Sequence, residues 1–169
     1  MENNNPRYEM TVTQSGNDMG KIEIEIYADK APKHAANFDN LVAEGAYNGT
    51  AFHRVIPGFM IQGGDPNSIE GERNTWGFGD PKQKNVPAEF SKTLKHNRGI
   101  ISAARSQDPN SASSQFFICV ADAFFLDGQY SIFGEVIKGM DIADKIVNSP
   151  RDRNDNPHDK IEIKIEKMK

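Results

Sequence analysis

Alternation of apolar and polar residues dominates both ends of the chain. Tyr8, Met10 and Val12 share one face of a strand over 8–13, and Ile22, Ile24 and Ile26 share one face of a second over 21–27, opposite Glu23 and Glu25. Between them Ser15, Gly16, Asn17, Asp18 and Gly20 have the composition of a turn, so the two strands are expected to form a hairpin. Near the other end Ile161, Ile163 and Ile165 alternate with Glu162, Lys164 and Glu166, a strand with one polar face. Shorter apolar runs at 51–55, 59–62, 100–104, 116–120 and 131–136 bring the total to about eight, a number that closes into a small barrel filled by its own side chains. Two helices interrupt this pattern. One opens at Pro32, repeats Ala35, Phe38, Leu41 and Val42 at helical spacing, and stops at Gly45. The other spans 140–147 with Ile142, Ile146 and Val147 inward. Both are too short for a bundle and read as plugs over the open ends of a barrel. From 66 to 94 the periodicity dissolves around Trp76, Phe78 and Phe90, and so long a stretch without elements in a compact domain is expected to form functional loops.

Length and charge narrow the class. A chain of 169 residues is sized for one domain and can bury roughly 70% of the surface its unfolded form exposes. We expect a flexible tip over 1–7, which contains the run Asn3, Asn4 and Asn5, and a single domain over 8–169. The net charge is −4 with acids and bases interspersed, which offers no basic footprint for nucleic acid or an anionic membrane. The opening MENNNPRYE has neither a basic nor an apolar targeting segment, and no run approaches the roughly 20 apolar residues of a membrane span. A cytoplasmic monomer is therefore expected, or a periplasmic or secreted one if a signal peptide preceded this sequence. The lone Cys119, flanked by Phe117, Ile118 and Val120, reads as a buried small hydrophobe rather than a reactive thiol.

Familiar catalytic constellations are missing. His34, His53, His96 and His158 share no metal-ligand spacing, so neither metal nor cofactor is expected. Gly63 and Gly64 lack the Lys of a phosphate loop, and no nucleophile elbow surrounds Ser111, Ser113 or Ser114. What stands out is FHRVIPGFMIQGGD at 52–65. It sets Arg54 among Phe52, Val55, Ile56, Phe59, Met60 and Ile61, then adds Gln62 and a glycine pair that permits close backbone approach. A cation among large apolar side chains is the composition of a wet-edged hydrophobic site. Read without those neighbours, Arg54 is a snorkelling strand residue and the aromatics are core. His53, on a regular strand, points away from Arg54 and reads as structural.

Two further motifs follow in order, SQFFIC at 114–119 and FLDGQY at 125–130. Together with 52–65 they closely resemble the cyclophilin family of peptidyl-prolyl cis-trans isomerases, and with the hairpin, first helix and final strand the resemblance covers nearly the whole chain. It implies a mainly β fold, a closed eight-stranded antiparallel β-barrel capped by two α-helices. It also implies Arg54 as the catalytic cation, and Phe59, Met60, Phe117 and Leu126 as the pocket for the substrate proline. Gln62 and Gln115 become edge amides, Ala104, Arg105 and Ser106 present backbone to the bound peptide, and Phe125 and Tyr130 form an aromatic wall. The chain departs from the family pattern in places: Arg105 stands where Asn is common, 107–110 is one residue longer, and Phe125 and Tyr130 replace a frequent Trp and His. Without the indole donor of that Trp, only weak cyclosporin binding is expected. The loop after Asp65 lacks the family's Gly-Thr-Gly-Gly-like stretch and carries Trp76, most simply as loop packing.

The implied function is catalysis of rotation about X-Pro bonds in proline-containing polypeptides, assisting their folding. A non-catalytic proline-peptide binding module or chaperone would keep the groove without the rate, and a small-molecule-binding barrel would have an empty lumen.

Overall fold

The computed structural model describes residues 4–169. Its eight strands are β1 (Arg7–Gln14), β2 (Asn17–Ile26), β3 (Phe52–Ile56), β4 (Met60–Gly63), β5 (Ile100–Ala103), β6 (Phe116–Cys119), β7 (Ile132–Lys138) and β8 (Ile161–Lys167). They form one antiparallel sheet in the order β3-β4-β6-β5-β7-β2-β1-β8. Its two ends meet just before β3: Gly49 N donates to Ile163 O (2.9 Å), Ile163 N donates to Thr50 O (2.8 Å), and Ala51 bridges Glu162. The expected barrel is thus nearly closed, joined at the seam by a short bridge rather than a full ladder.

The first hairpin is tighter than its composition implies. Ser15 and Gly16 both take positive φ (51° and 78°), a two-residue turn matched to strand twist, so Asn17 already pairs with Gln14. Of the expected N-terminal tip, residues 1–3 lie outside the described residues. The rest is held: Pro6 O accepts from Ile26 N, Asn5 Oδ1 accepts from Ala28 N, and Arg7 is already in β1.

Helices α1 (Pro32–Ala43) and α3 (Met140–Val147) occupy the expected segments and send their buried faces into the same core as the strands. Phe38 of α1 is the hub, with Tyr8, Tyr47, Phe133 and Phe116 rings at 5.0, 5.2, 5.8 and 6.4 Å. With Met10, Ile22, Ile24, Ile61, Ile101 and Ile118, all 0–1% exposed, these side chains fill the barrel, which removes the empty-lumen alternative. Replacing Phe38 by Ala would cost about 3–5 kcal/mol on the usual scale for a buried aromatic.

The 66–94 stretch is more ordered than its composition implies. It contains a third helix, the single turn α2 (Asn67–Glu70), followed by a 3-10 turn at Arg73–Thr75. One helical turn has no apolar period to betray it. The organiser is the fully buried Asp65: its Oδ2 accepts from Gly77 N (2.6 Å) and Gly79 N (3.2 Å), and its Oδ1 accepts from Asn67 N (3.2 Å).

Candidate active site

Strand alternation separates the site from the core. On β6, Phe116 and Ile118 point into the barrel, whereas Phe117 and Cys119 point out; on β4, Ile61 points in and Met60 out. The outward set gathers with Ala123 and Leu126 into a second apolar cluster, edged by Ile56, Phe59, Ala104 and Tyr130. Cys119 sits within it at 0% exposure with its thiol pKa pushed up to about 12 by burial, as a small hydrophobe should.

Above this cluster lies a recess of about 150 Å³. Nine of the expected site residues line it: Arg54, Phe59, Met60, Gln62, Ala104, Arg105, Phe117, Leu126 and Tyr130. The other three stand just outside. Phe125 packs its ring 5.5 Å from that of Phe59, and Ser106 and Gln115 line an adjoining recess that shares Gln62, Ala104 and Arg105 with the first.

A chain of amides orients the cation. Arg54 Nη1 donates to Gln62 Oε1 (3.3 Å), Gln62 Nε2 to Gln115 Oε1 (3.1 Å), and Gln115 Nε2 to Gly77 O (3.0 Å). Each amide has its carbonyl and NH₂ ends assigned by its neighbours, so Gln62 must present oxygen to the guanidinium. Among the described residues no carboxylate lies within 4.0 Å of Arg54, which leaves an exposed, uncompensated cation at the rim of an apolar recess.

His53 departs from the sequence reading. The β3–β4 register shifts between Phe52 and Arg54, and a bulge of this kind breaks strict alternation, so His53 and Arg54 border the same cleft instead of opposite faces. The ring is nonetheless buried, and desolvation pulls its pKa down to about 4. It is neutral near pH 7 and too weak a base to serve as a proton acceptor there.

Two supports went unnoticed in the sequence. Beneath the recess the Phe117 ring stacks on His96 (6.1 Å, 13°). His96 bonds through Nδ1 to Asp127 Oδ1 (2.8 Å) and through Nε2 to Ser102 Oγ (2.9 Å). Burial lowers the His96 pKa against the pull of Asp127, so the ring is neutral and donates from Nδ1, while the Ser102 hydroxyl lies between His96 Nε2 and Ser131 O (3.2 Å). The order Asp–His–Ser is that of a hydrolase triad. Ser102 and His96 are both 0% exposed, however, so no substrate reaches the hydroxyl and the chain of bonds acts as a brace. No spacing in the sequence reveals it, because His96 and Asp127 are 31 residues apart. The second support is the Arg105 side chain, expected only to present backbone. Its guanidinium lies 4.4 Å over the Tyr130 ring, donates from Nε (3.1 Å) and Nη2 (2.7 Å) to Gln129 O, and from Nη1 to Ser106 O (2.9 Å). It staples two loops and fixes Tyr130 as a wall, edge-on to Phe117 at 5.8 Å.

Comparison with known proteins agrees with this geometry. The family described as cyclophilin type peptidyl-prolyl cis-trans isomerase/CLD matches residues 9–169. A probable peptidyl-prolyl cis-trans isomerase of Brucella abortus (strain 2308) is 49% identical over 154 residues, covering 87% of this chain and 78% of the relative. A peptidyl-prolyl cis-trans isomerase of Arabidopsis thaliana is 47% identical over 149 residues, covering 85% and 88%. Among solved structures, a cyclophilin type isomerase of Cryptosporidium parvum superposes with a TM-score of 0.80 at 33% identity, covering 96% of this chain and 98% of the other. A crystal structure of that protein in the presence of the dipeptide Ala-Pro gives 0.79 at 34% identity, covering 95% and 99%. The eight-stranded barrel, the outward cluster with its amide-oriented cation, and a match over almost the full length lead to one assignment: the chain belongs to the cyclophilin-type peptidyl-prolyl cis-trans isomerase family.

Proposed function

We propose that the protein is a peptidyl-prolyl cis-trans isomerase acting on X-Pro bonds of polypeptides, with Arg54 as its catalytic residue. The observation that carries this reading is the Arg54 guanidinium, with no carboxylate within 4.0 Å among the described residues and held by Gln62 at the edge of the apolar recess. The substrate proline ring sits on Met60, Phe117 and Leu126, walled by Phe59 and Tyr130. The neighbouring backbone lies along Arg105, whose own N–H and C=O take no hydrogen bond among the described residues and are open to an extended peptide.

The reaction needs no nucleophile and no proton transfer. An X-Pro amide resists rotation because the nitrogen lone pair is delocalised into the carbonyl, a barrier of about 18–20 kcal/mol. A guanidinium donor aimed at the amide in a poorly hydrated recess stabilises the twisted form, in which the lone pair is localised, more than either planar form. Uncatalysed isomerisation takes tens of seconds or more, so typical turnover asks for only roughly 3–7 kcal/mol. One oriented charged donor in a site that excludes water supplies about 3 kcal/mol, which is on that scale. With Phe125 in place of an indole donor, cyclosporin is expected to bind weakly.

The test follows cis–trans exchange of an X-Pro tetrapeptide by NMR for the wild type and Arg54→Ala. Acceleration by the wild type and its loss in the variant support the reading. Binding without acceleration by the wild type would make the protein a non-catalytic proline-peptide module instead.

A further inference from the structure

A second, larger cleft of about 600 Å³ opens on the other side of Arg54. Arg54 and Gln62 form the border it shares with the proline recess. Arg73 and Trp76 belong to one wall, Asp152 and Asn154 to the other. These walls come from two loops distant in sequence, and Arg73 ties them together, donating from Nη1 to Pro157 O (2.7 Å), 84 residues away, and from Nη2 to His158 O (2.9 Å). Its guanidinium also lies 4.9 Å over the Trp76 ring, and Trp76 Nε1 donates to Gly71 O (3.0 Å). The cleft is therefore preformed, and the loop around Trp76 gains a use beyond packing.

Its charge is the informative feature. Among the described residues neither Arg54 nor Arg73 has a carboxylate within 4.0 Å. Among the described residues the one carboxylate lining the cleft, Asp152, already accepts at Oδ1 from Asn154 N (2.8 Å) and Asn156 N (3.1 Å). His53 at the base is buried and contributes no charge near pH 7. With the Asp65 carboxylate buried behind Gly77 and engaged by backbone N–H groups, two guanidiniums against one partly engaged lining carboxylate make the exposed face of the cleft cationic on a chain whose net charge is −4. Because Arg54 borders both spaces, a peptide whose proline occupies the recess can reach this cleft with a flanking residue.

Building on the proline-peptide reading above, we propose that the Arg54–Arg73 cleft selects an acidic side chain, Asp or Glu, adjacent to the target proline. Arg73 and Asp152 set the strength of this preference in opposite senses: the guanidinium attracts the substrate carboxylate and Asp152 repels it.

The experiment uses short peptides with Glu, Gln or Lys placed immediately before or immediately after one proline. Kd is measured by NMR titration and the isomerisation rate by exchange on the same samples. At one of the two positions Glu should bind roughly 3- to 10-fold more tightly than Gln, and Lys more weakly, with the difference shrinking at high salt. Arg73→Gln should bring the Glu/Gln ratio towards one. Asp152→Asn keeps an oxygen acceptor for the two amides and should widen the ratio, so it remains informative if Arg73→Gln disturbs the loops. Equal affinity for Glu and Gln at both positions, or a ratio that Asp152→Asn leaves unmoved, overturns the proposal. Selective binding without turnover would instead remove the isomerase reading and leave the cleft standing.

Discussion

On the proposed reading, Arg54 acts as a shaped donor, not merely as a charge. Its fork is aimed by one hydrogen bond donated to Gln62 Oε1, and a planar fork presents paired, directed N–H groups that an ammonium lacks. Arg54→Lys is therefore expected to lose most of the turnover while peptide Kd changes severalfold at most, which exchange spectroscopy and titration would separate. Equal losses in both would mean that Arg54 contributes only uniform substrate binding. Phe117 tests the opposite property. Its ring is 5% exposed, but it lies in the outward cluster rather than the barrel core, so Phe117→Ala should weaken peptide binding strongly while the barrel still folds. The residue types of these two positions were readable in the sequence because an Arg beside aromatics and amides is chemically unusual. The work of Arg105 was not readable, because its contacts to Tyr130 and to the Gln129 carbonyl depend on how two loops 24 residues apart approach each other.

At the scale of elements, alternation showed where the strands run but could not say which face was core. Runs such as 116–119 are apolar throughout, and only the barrel assigns Phe116 inward and Phe117 outward. The bulge at His53 broke a rule that the sequence reading relied on, since a register shift leaves no mark in a five-residue strand. Capping shows the same dependence on distant chain. Ala31 precedes α1 and offers no side-chain acceptor, and the helix is capped instead by Glu89, which accepts from Lys33 N (3.1 Å), His34 N (2.8 Å) and His34 Nδ1 (2.6 Å). Glu89→Ala should destabilise the fold by about 1–3 kcal/mol, combining a lost cap with donors left buried and unpaired. Glu89→Gln, which keeps one acceptor oxygen, should lose less. Thermal unfolding resolves the difference, since each kcal/mol moves Tm by roughly 2–4 °C in a domain of this size. Equal stability of all three proteins would show that α1 does not depend on this cap.

For the molecule as a whole, buried histidines shape the response to acid. His53 has its pKa pulled to about 4 by burial, with the neighbouring Arg54 acting in the same direction, whereas the unfolded chain titrates near the ordinary 6.5. Between those values the unfolded state binds a proton that the folded state refuses, so stability falls as pH drops from about 6.5 to about 4, by on the order of 3 kcal/mol in all. His96 is shifted in the same direction by burial and adds to the loss. The carboxylates act later. Asp39, bonded by the Tyr8 hydroxyl, Asp144, paired with Arg98, and Asp152, held by the Asn156 amide, all lie below their usual range. Their contribution is present above the ordinary carboxylate pKa and is lost only as pH falls through their depressed folded values. Acid sensitivity should therefore begin near pH 6.5, well above the carboxylate range, and be visible as a lower urea midpoint at pH 5 than at pH 7. His53→Asn removes the titrating ring and should flatten that part of the curve, leaving the slope that His96 contributes. An unchanged slope between pH 6.5 and 5 in the variant would show that the buried ring beside Arg54 is not what the folded state protects from protonation.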